Sequence, residues 1–111
     1  MKSVLYAGVT FETADAVADA LLELATALGM NERAETVEIP VVDADGAVTR
    51  VQLVIGPASQ FISRPVSSEF DDPDDDAVVE ELHRRTRLLG LPRAAAVSAS
   101  DLDRLDYDTS L

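Results

Sequence analysis

The sequence predicts an α+β domain: a small, mostly antiparallel sheet of three to five strands with two helices packed on one face. Three observations carry that expectation. Apolar and polar residues alternate on both sides of an Asp-Ala-Asp-Gly turn in the middle of the chain. Two longer segments, before and after that alternation, repeat apolar residues at helical spacing. A short β-branched run precedes the first of them.

"KSVLYAGVT" (Lys2 to Thr10) is apolar and short enough for a buried strand. "FETADAVADALLELATALG" follows as the first helix. Ala14, Val17, Ala18, Leu21, Ala25 and Leu28 line one face, and Asp15, Asp19 and Glu23 the other. Thr10 or Thr13 is expected to cap its start and Gly29 to end it.

"ETVEIPVV" and "AVTRVQLVI" are the next two strands, and parity decides how they pair. A two-residue Asp45-Gly46 turn would set Val41 opposite Arg50 and mix the faces. An odd-length connection sets Val41 opposite Thr49, Ile39 opposite Val51 and Val37 opposite Leu53, so the hydrophobic faces coincide. Gly46 then takes the left-handed position beside a bulge. Asp43 and Asp45 are turn residues in this reading, with no metal between them.

"LVIGPASQFISRPV" ends an apolar run at Gly56-Pro57, and "SQFIS" resumes as a short edge strand closed by Pro65. In "DDPDDDAVVEELHRRTRLLGLP", Asp72 reads as the N-cap and Pro73 as the first residue of the second helix, with Asp74 to Asp76 at the positive end of its dipole. Glu80 with Arg84 and Glu81 with Arg85 stand at i,i+4. Val78, Val79, Leu82, Thr86 and Leu89 form the buried stripe, and Gly90-Leu91-Pro92 the stop. The order is thus β-α-β-β-(β)-α. If residues 94–98 add a last strand, it becomes the ferredoxin-like β-α-β-β-α-β. The whole chain, 1–111, reads as one domain with a weakly patterned tail over 93–111.

Composition bounds function more than it specifies it. The chain has 111 residues, 47% of them hydrophobic, which is enough for a core without staples. It has no cysteine, so disulfides, thiolate nucleophiles and sulfur-ligated zinc are excluded. Neither a signal-peptide h-region nor a run of ~20 apolar residues is present, and the expectation is a cytoplasmic protein with no membrane contact. The net charge of −12 opposes direct nucleic-acid binding. It is read as a solubilising surface, with an acidic mimic of nucleic acid as a third reading of function.

No catalytic constellation emerges. His83, the only histidine, has no nucleophile or orienting partner in view, and "FDDPDDD" lacks the glycine and terminal glutamate of a calcium loop. No cofactor or metal is implied. Candidate ligand-binding residues are Gly56, Ser59, Gln60, Ser63 and Arg64, hydrogen-bonding groups on a connection of the length where functional loops occur. Against a phosphate cradle, Pro57 removes a donor and no second glycine follows. The leading expectation is a non-enzymatic accessory or protein-interaction domain. Two helices cannot cover both sides of the sheet, so the second face is left to a homodimer or another protein partner. The candidate interface is Tyr6, Pro40, Val42, Val48 and Val54. A small-molecule-binding domain or weak enzyme at the Gly56 to Arg64 loop is the alternative. The tail, through Leu102, Leu105 and Tyr107, is the competing cover for the open face.

Overall fold

The computed structural model describes residues 1–73 and 75–100, and of 91–100 only the helical backbone. The elements run β1 (Lys2–Tyr6), β2 (Val9–Thr13), α1 (Asp15–Met30), β3 (Glu35–Val42), β4 (Val48–Ile55), β5 (Phe61–Pro65) and α2 (Asp76–Ser100). The α+β class is as expected, and the five antiparallel strands lie in the order β4-β3-β2-β1-β5. No strand follows α2 among the described residues, so the arrangement is not ferredoxin-like. Residues 94–98 continue α2 instead, as suits an alanine-rich segment of high helix propensity. The helix also runs through Gly90-Leu91-Pro92, expected as its stop. Leu102, Leu105 and Tyr107 lie outside the described residues.

The single strand expected over Lys2 to Thr10 is a hairpin. Ala7 and Gly8 have φ of 54° and 81° and form a two-residue turn of the kind whose twist matches antiparallel strands. Tyr6 therefore pairs with Val9 and Leu5 with Thr10. This moves the start of α1 to Asp15, preceded by Ala14, which makes no side-chain cap. Neither threonine caps the helix. Thr13 is buried and its Oγ1 donates to the Pro40 carbonyl at 2.7 Å.

The β3–β4 hairpin has the register that parity requires: Val41 faces Thr49, Ile39 faces Val51 and Val37 faces Leu53. Gly46 sits at φ 88°, the Asp43 amide donates to the Ala47 carbonyl at 2.8 Å, and the Gly46 amide donates to the Asp43 carbonyl at 2.9 Å. Hydrogen-bonding pairs alternate along such a ladder, so the odd-numbered residues of β3 bond to β4 and Pro40 turns its missing donor toward β2. The β2–β3 ladder accordingly contains one residue pair, Glu12 with Val42. The sheet is a three-stranded unit and a hairpin joined at that corner and at the Thr13–Pro40 bond.

The core is built from one face of α1, one of α2 and the inward residues of β3 and β4. Val17, Leu21, Leu24 and Leu28 of α1 meet Val37, Ile39, Val41 and Ile55 of the sheet, with Val78, Leu82 and Leu89 of α2. Ala20 and Leu24 extend the buried stripe of α1 beyond the expected residues, because α2 packs along its flank. Val51 and Leu53 are only half-buried, since β4 is an edge strand.

Both ends differ from the expected caps. At the C-terminus of α1, the Arg33 amide donates to the Leu28 carbonyl at 3.0 Å and the Glu32 amide to the Gly29 carbonyl at 3.2 Å. That is a Schellman closure, and its left-handed residue is Glu32 at φ 55°, not Gly29. At the N-terminus of α2, Asp75 is the cap: its Oδ1 accepts from the Val78 amide at 3.2 Å. Asp72 and Pro73 precede the helix, and Asp72 Oδ1 instead lies 3.4 Å from the Met1 amino group. A run of aspartates offers several capping candidates, and Arg50, which Asp75 also pairs with, selects one of them.

Candidate functional site

Two surfaces concern the candidate residues: the loop after β4, and the sheet face away from the helices. The loop is organised by its own side chains. The Ser59 amide donates to the Gly56 carbonyl at 3.1 Å, and Ser59 Oγ accepts from the Gly56 amide at 2.9 Å. The Tyr6 hydroxyl lies 3.0 Å from the same Oγ and donates to the Val54 carbonyl. Tyr6 also stacks on Phe61, with ring centroids 4.3 Å apart and planes inclined by 10°. Tyr6 is thereby an internal tie between β1, the end of β4 and the start of β5.

Between the Ala7-Gly8 turn and the Gly56–Gln60 loop lies an open cleft of ≈ 650 Å³, with Leu5, Tyr6 and Ile62 on its walls. The expected ligand residues do not converge there. Gly56, Ser59 and Gln60 line it, but Ser63 and Arg64 do not. Ser63 shares the helix-side face of the sheet with its pairing partner Val4, and its Oγ is buried without a hydrogen-bond partner among the described residues. Arg64 stands on the opposite face. Of the cleft's polar side chains, Ser59 and the Tyr6 hydroxyl are already engaged with each other and with backbone, which leaves the Gln60 amide.

Register assigns the faces of the three-stranded unit. Lys2 reaches Asp19 of α1, and Val4 is fully buried, so Lys2, Val4 and Tyr6 face the helices. Their partners Thr13, Phe11 and Val9 on β2 and Pro65, Ser63 and Phe61 on β5 share that side. The outer face carries Ser3 and Leu5 on β1, Thr10 and Glu12 on β2, and Ile62 and Arg64 on β5. Ile62 is 61% exposed and Leu5 39%. They are direct cross-strand neighbours.

The residues of the expected interface do not share one exposed surface. Tyr6 points to the helix side. Pro40 and Val42 are buried within the chain, Val42 beside the Glu12 pairing and the segment Ser67 to Phe70. Val48 and Val54 are exposed but stand at opposite ends of β4, with Arg50 and Gln52 between them. Leu5 and Ile62 do not stand together in the sequence, because the pairing of β1 with β5 joins residues far apart in the chain. A continuous strand would have put Leu5 and Val9 together, and the hairpin separates them.

Several charged groups elsewhere are held by contacts within the chain. Arg85 lies 3.3 Å from Glu35 and donates to the Thr36 carbonyl at 3.0 Å, joining α2 to β3. Glu81 binds both Arg84 and Arg85 at 2.9 Å, so Arg84 pairs at i,i+3 with Glu81 rather than with Glu80. Hydrogen bonding from Arg84 and then from Arg85 lowers the Glu81 carboxyl to about 2 from an ordinary 4.5. His83 Nε2 is 4.0 Å from Glu23 on the surface between the helices. No helix among the described residues is long and apolar enough to cross a membrane.

The chain matches no known family model, no curated protein and no solved structure.

Proposed function

We propose that this chain is a non-enzymatic protein-interaction domain that binds through the outer face of β1, β2 and β5. The observation that carries the reading is the pairing of exposed Leu5 and Ile62 on a face that no helix covers among the described residues, flanked by Glu12 and Arg64. Single exposed apolar residues are ordinary on a protein surface; Leu5 and Ile62 are adjacent and line a shallow hollow together with Ser3, Thr10 and Arg64, and contiguous apolar surface favours contact with another surface. Glu12 and Arg64 balance each other in charge. That sets this face apart from a nucleic-acid mimic, whose contact surface is rich in acid alone.

A small-molecule site in the ≈ 650 Å³ cleft is the second reading, since that volume is in the range of ligand sites. It ranks lower because Ser59 and Tyr6 are tied into the fold. Incorporating a photoreactive residue at Ile62, with Val48 as control, tests the interaction reading in cells producing the full chain. Irradiation is expected to link position 62, and not position 48, to a protein. Absence of an intermolecular product from position 62, or a link only to the chain's own residues 101–111, would overturn it.

A further inference from the structure

We propose that the outer face of β1, β2 and β5 packs on the same face of a second copy of this chain, about a two-fold axis running along β1. This rests on the interaction-domain reading and adds the partner and the geometry. Glu12, Ser3 and Arg64 form one row across the three strands, and Thr10, Leu5 and Ile62 form the next. Glu12 and Arg64 are two strand spacings apart, roughly 10 Å, so they do not pair with each other. Among the described residues neither has an ion pair or side-chain hydrogen bond.

A half-turn about an axis parallel to β1, midway between two facing copies, exchanges β2 with β5. Each Glu12 then lies over the partner's Arg64, each Ile62 over the partner's Thr10, and Leu5 over the partner's Leu5. Two opposite charges without partners among the described residues each find one, and the apolar pair is covered. The alternative in-plane axis, across the strands, keeps β2 over β2 and β5 over β5, so Glu12 never meets Arg64. Sheets that pack face to face align their strands to within about 30°, which the axis along β1 permits. The edge of β5 is a poorer route to the same end, because five residues ending in a proline give a short ladder.

Charge also argues for a second copy over a basic partner. The chain's net charge is −12, yet this face carries one carboxylate and one guanidinium, so a basic protein gains more elsewhere. Repulsion between two acidic chains is long-range and screened by salt, whereas contacts at the buried face are screened less. Three strands of five residues offer roughly 15 by 15 Å, smaller than the ~800 Å² per partner of a standard interface, so the association is weak and is sought at high concentration.

Sedimentation equilibrium of the full chain from about 10 to about 500 μM brackets such an affinity. The set is wild type, Glu12→Arg, Arg64→Glu and the double reversal, each checked for folding by its thermal melt. The wild type is expected to self-associate, each single reversal to weaken association about tenfold or more, and the double reversal to restore it to within about threefold. A wild type that is monomeric throughout, single reversals without effect, or a double reversal as weak as the singles would overturn the proposal. A monomeric wild type that still cross-links another protein from position 62 would remove the second copy alone; no such link would remove the interaction reading as well.

Discussion

Gly46 couples the β3–β4 turn to the segment that leads into α2, and the coupling can be measured. Its φ is 88°, and a Cβ placed on it would lie 2.7 Å from Phe70 Cε1 and 2.8 Å from Cδ1. Any side chain therefore meets two costs. The left-handed backbone costs about 1–2 kcal/mol for a residue with a Cβ. Displacing the half-buried Phe70 ring exposes on the order of 50 Å² at about 25 cal/mol per Å², a further ~1 kcal/mol. Gly46→Ala should thus destabilise by about 2–3 kcal/mol in urea unfolding of the full chain. Gly46→Asn, which the turn alone would tolerate, should be costly as well, because its Cβ meets the same ring. In a Phe70→Ala background the cost of Gly46→Ala should fall by about 1 kcal/mol, outside the ~0.5 kcal/mol within which independent sites add. Gly46→Asn should there become milder than Gly46→Ala. Equal penalties in the two backgrounds would refute the contact.

The remaining predictions concern the caps, the loop and pH. Asp75→Ala should lower stability by about 1–2 kcal/mol through loss of the α2 cap, with Asp72→Ala costing clearly less in the same thermal melts; the reverse ranking would return the cap to Asp72. Glu32→Gly should raise stability by about 0.5–1 kcal/mol by relieving the left-handed residue of the Schellman closure, and an unchanged or lowered melting temperature would contradict that geometry. Ser59→Ala should cost about 1–2 kcal/mol, because the Gly56 amide loses its acceptor; a neutral result would mean that the serine is not structural. Glu81 is held at about 2 in the folded chain against an ordinary 4.5, so its contribution is present above the higher value and disappears as pH falls through the lower one. The stability gap between wild type and Glu81→Gln, read from urea midpoints, should close over that window; a constant gap would exclude the linkage.

Parity made the β3–β4 register legible, because only an odd-length connection brings Val37, Ile39 and Val41 to the same face as Val51, Leu53 and Ile55. Helical periodicity did the same for the face of α1, and Gly56-Pro57 and Pro65 correctly bounded an edge strand. The β1–β2 turn was hidden because alanine rarely takes positive φ, and Ala7 does so at 54°. That omission set Val9 on the face of Leu5, since face assignment beyond a turn inverts when the turn is missed. Burial of Val42 was hidden for a different reason. Alternation tells which side of a strand a residue occupies, but not that the chain from Ser67 to Phe70 returns beside it. The loop's role was half legible: Gly-Pro marked the strand end, while the bond between Ser59 and Tyr6 joins residues far apart in sequence.

The claim most in need of a direct measurement is that the Leu5–Ile62 face, and not the outer side of β4, is the contact surface. A dilution series followed by methyl NMR resolves the two, because Val48 and Val54 are 55% and 65% exposed and report on β4. Concentration-dependent shifts are expected at the Leu5 and Ile62 methyls with Val48 and Val54 unmoved. Shifts at the two valines with Leu5 and Ile62 stationary, or no shift at any of the four up to the highest concentration, would contradict it.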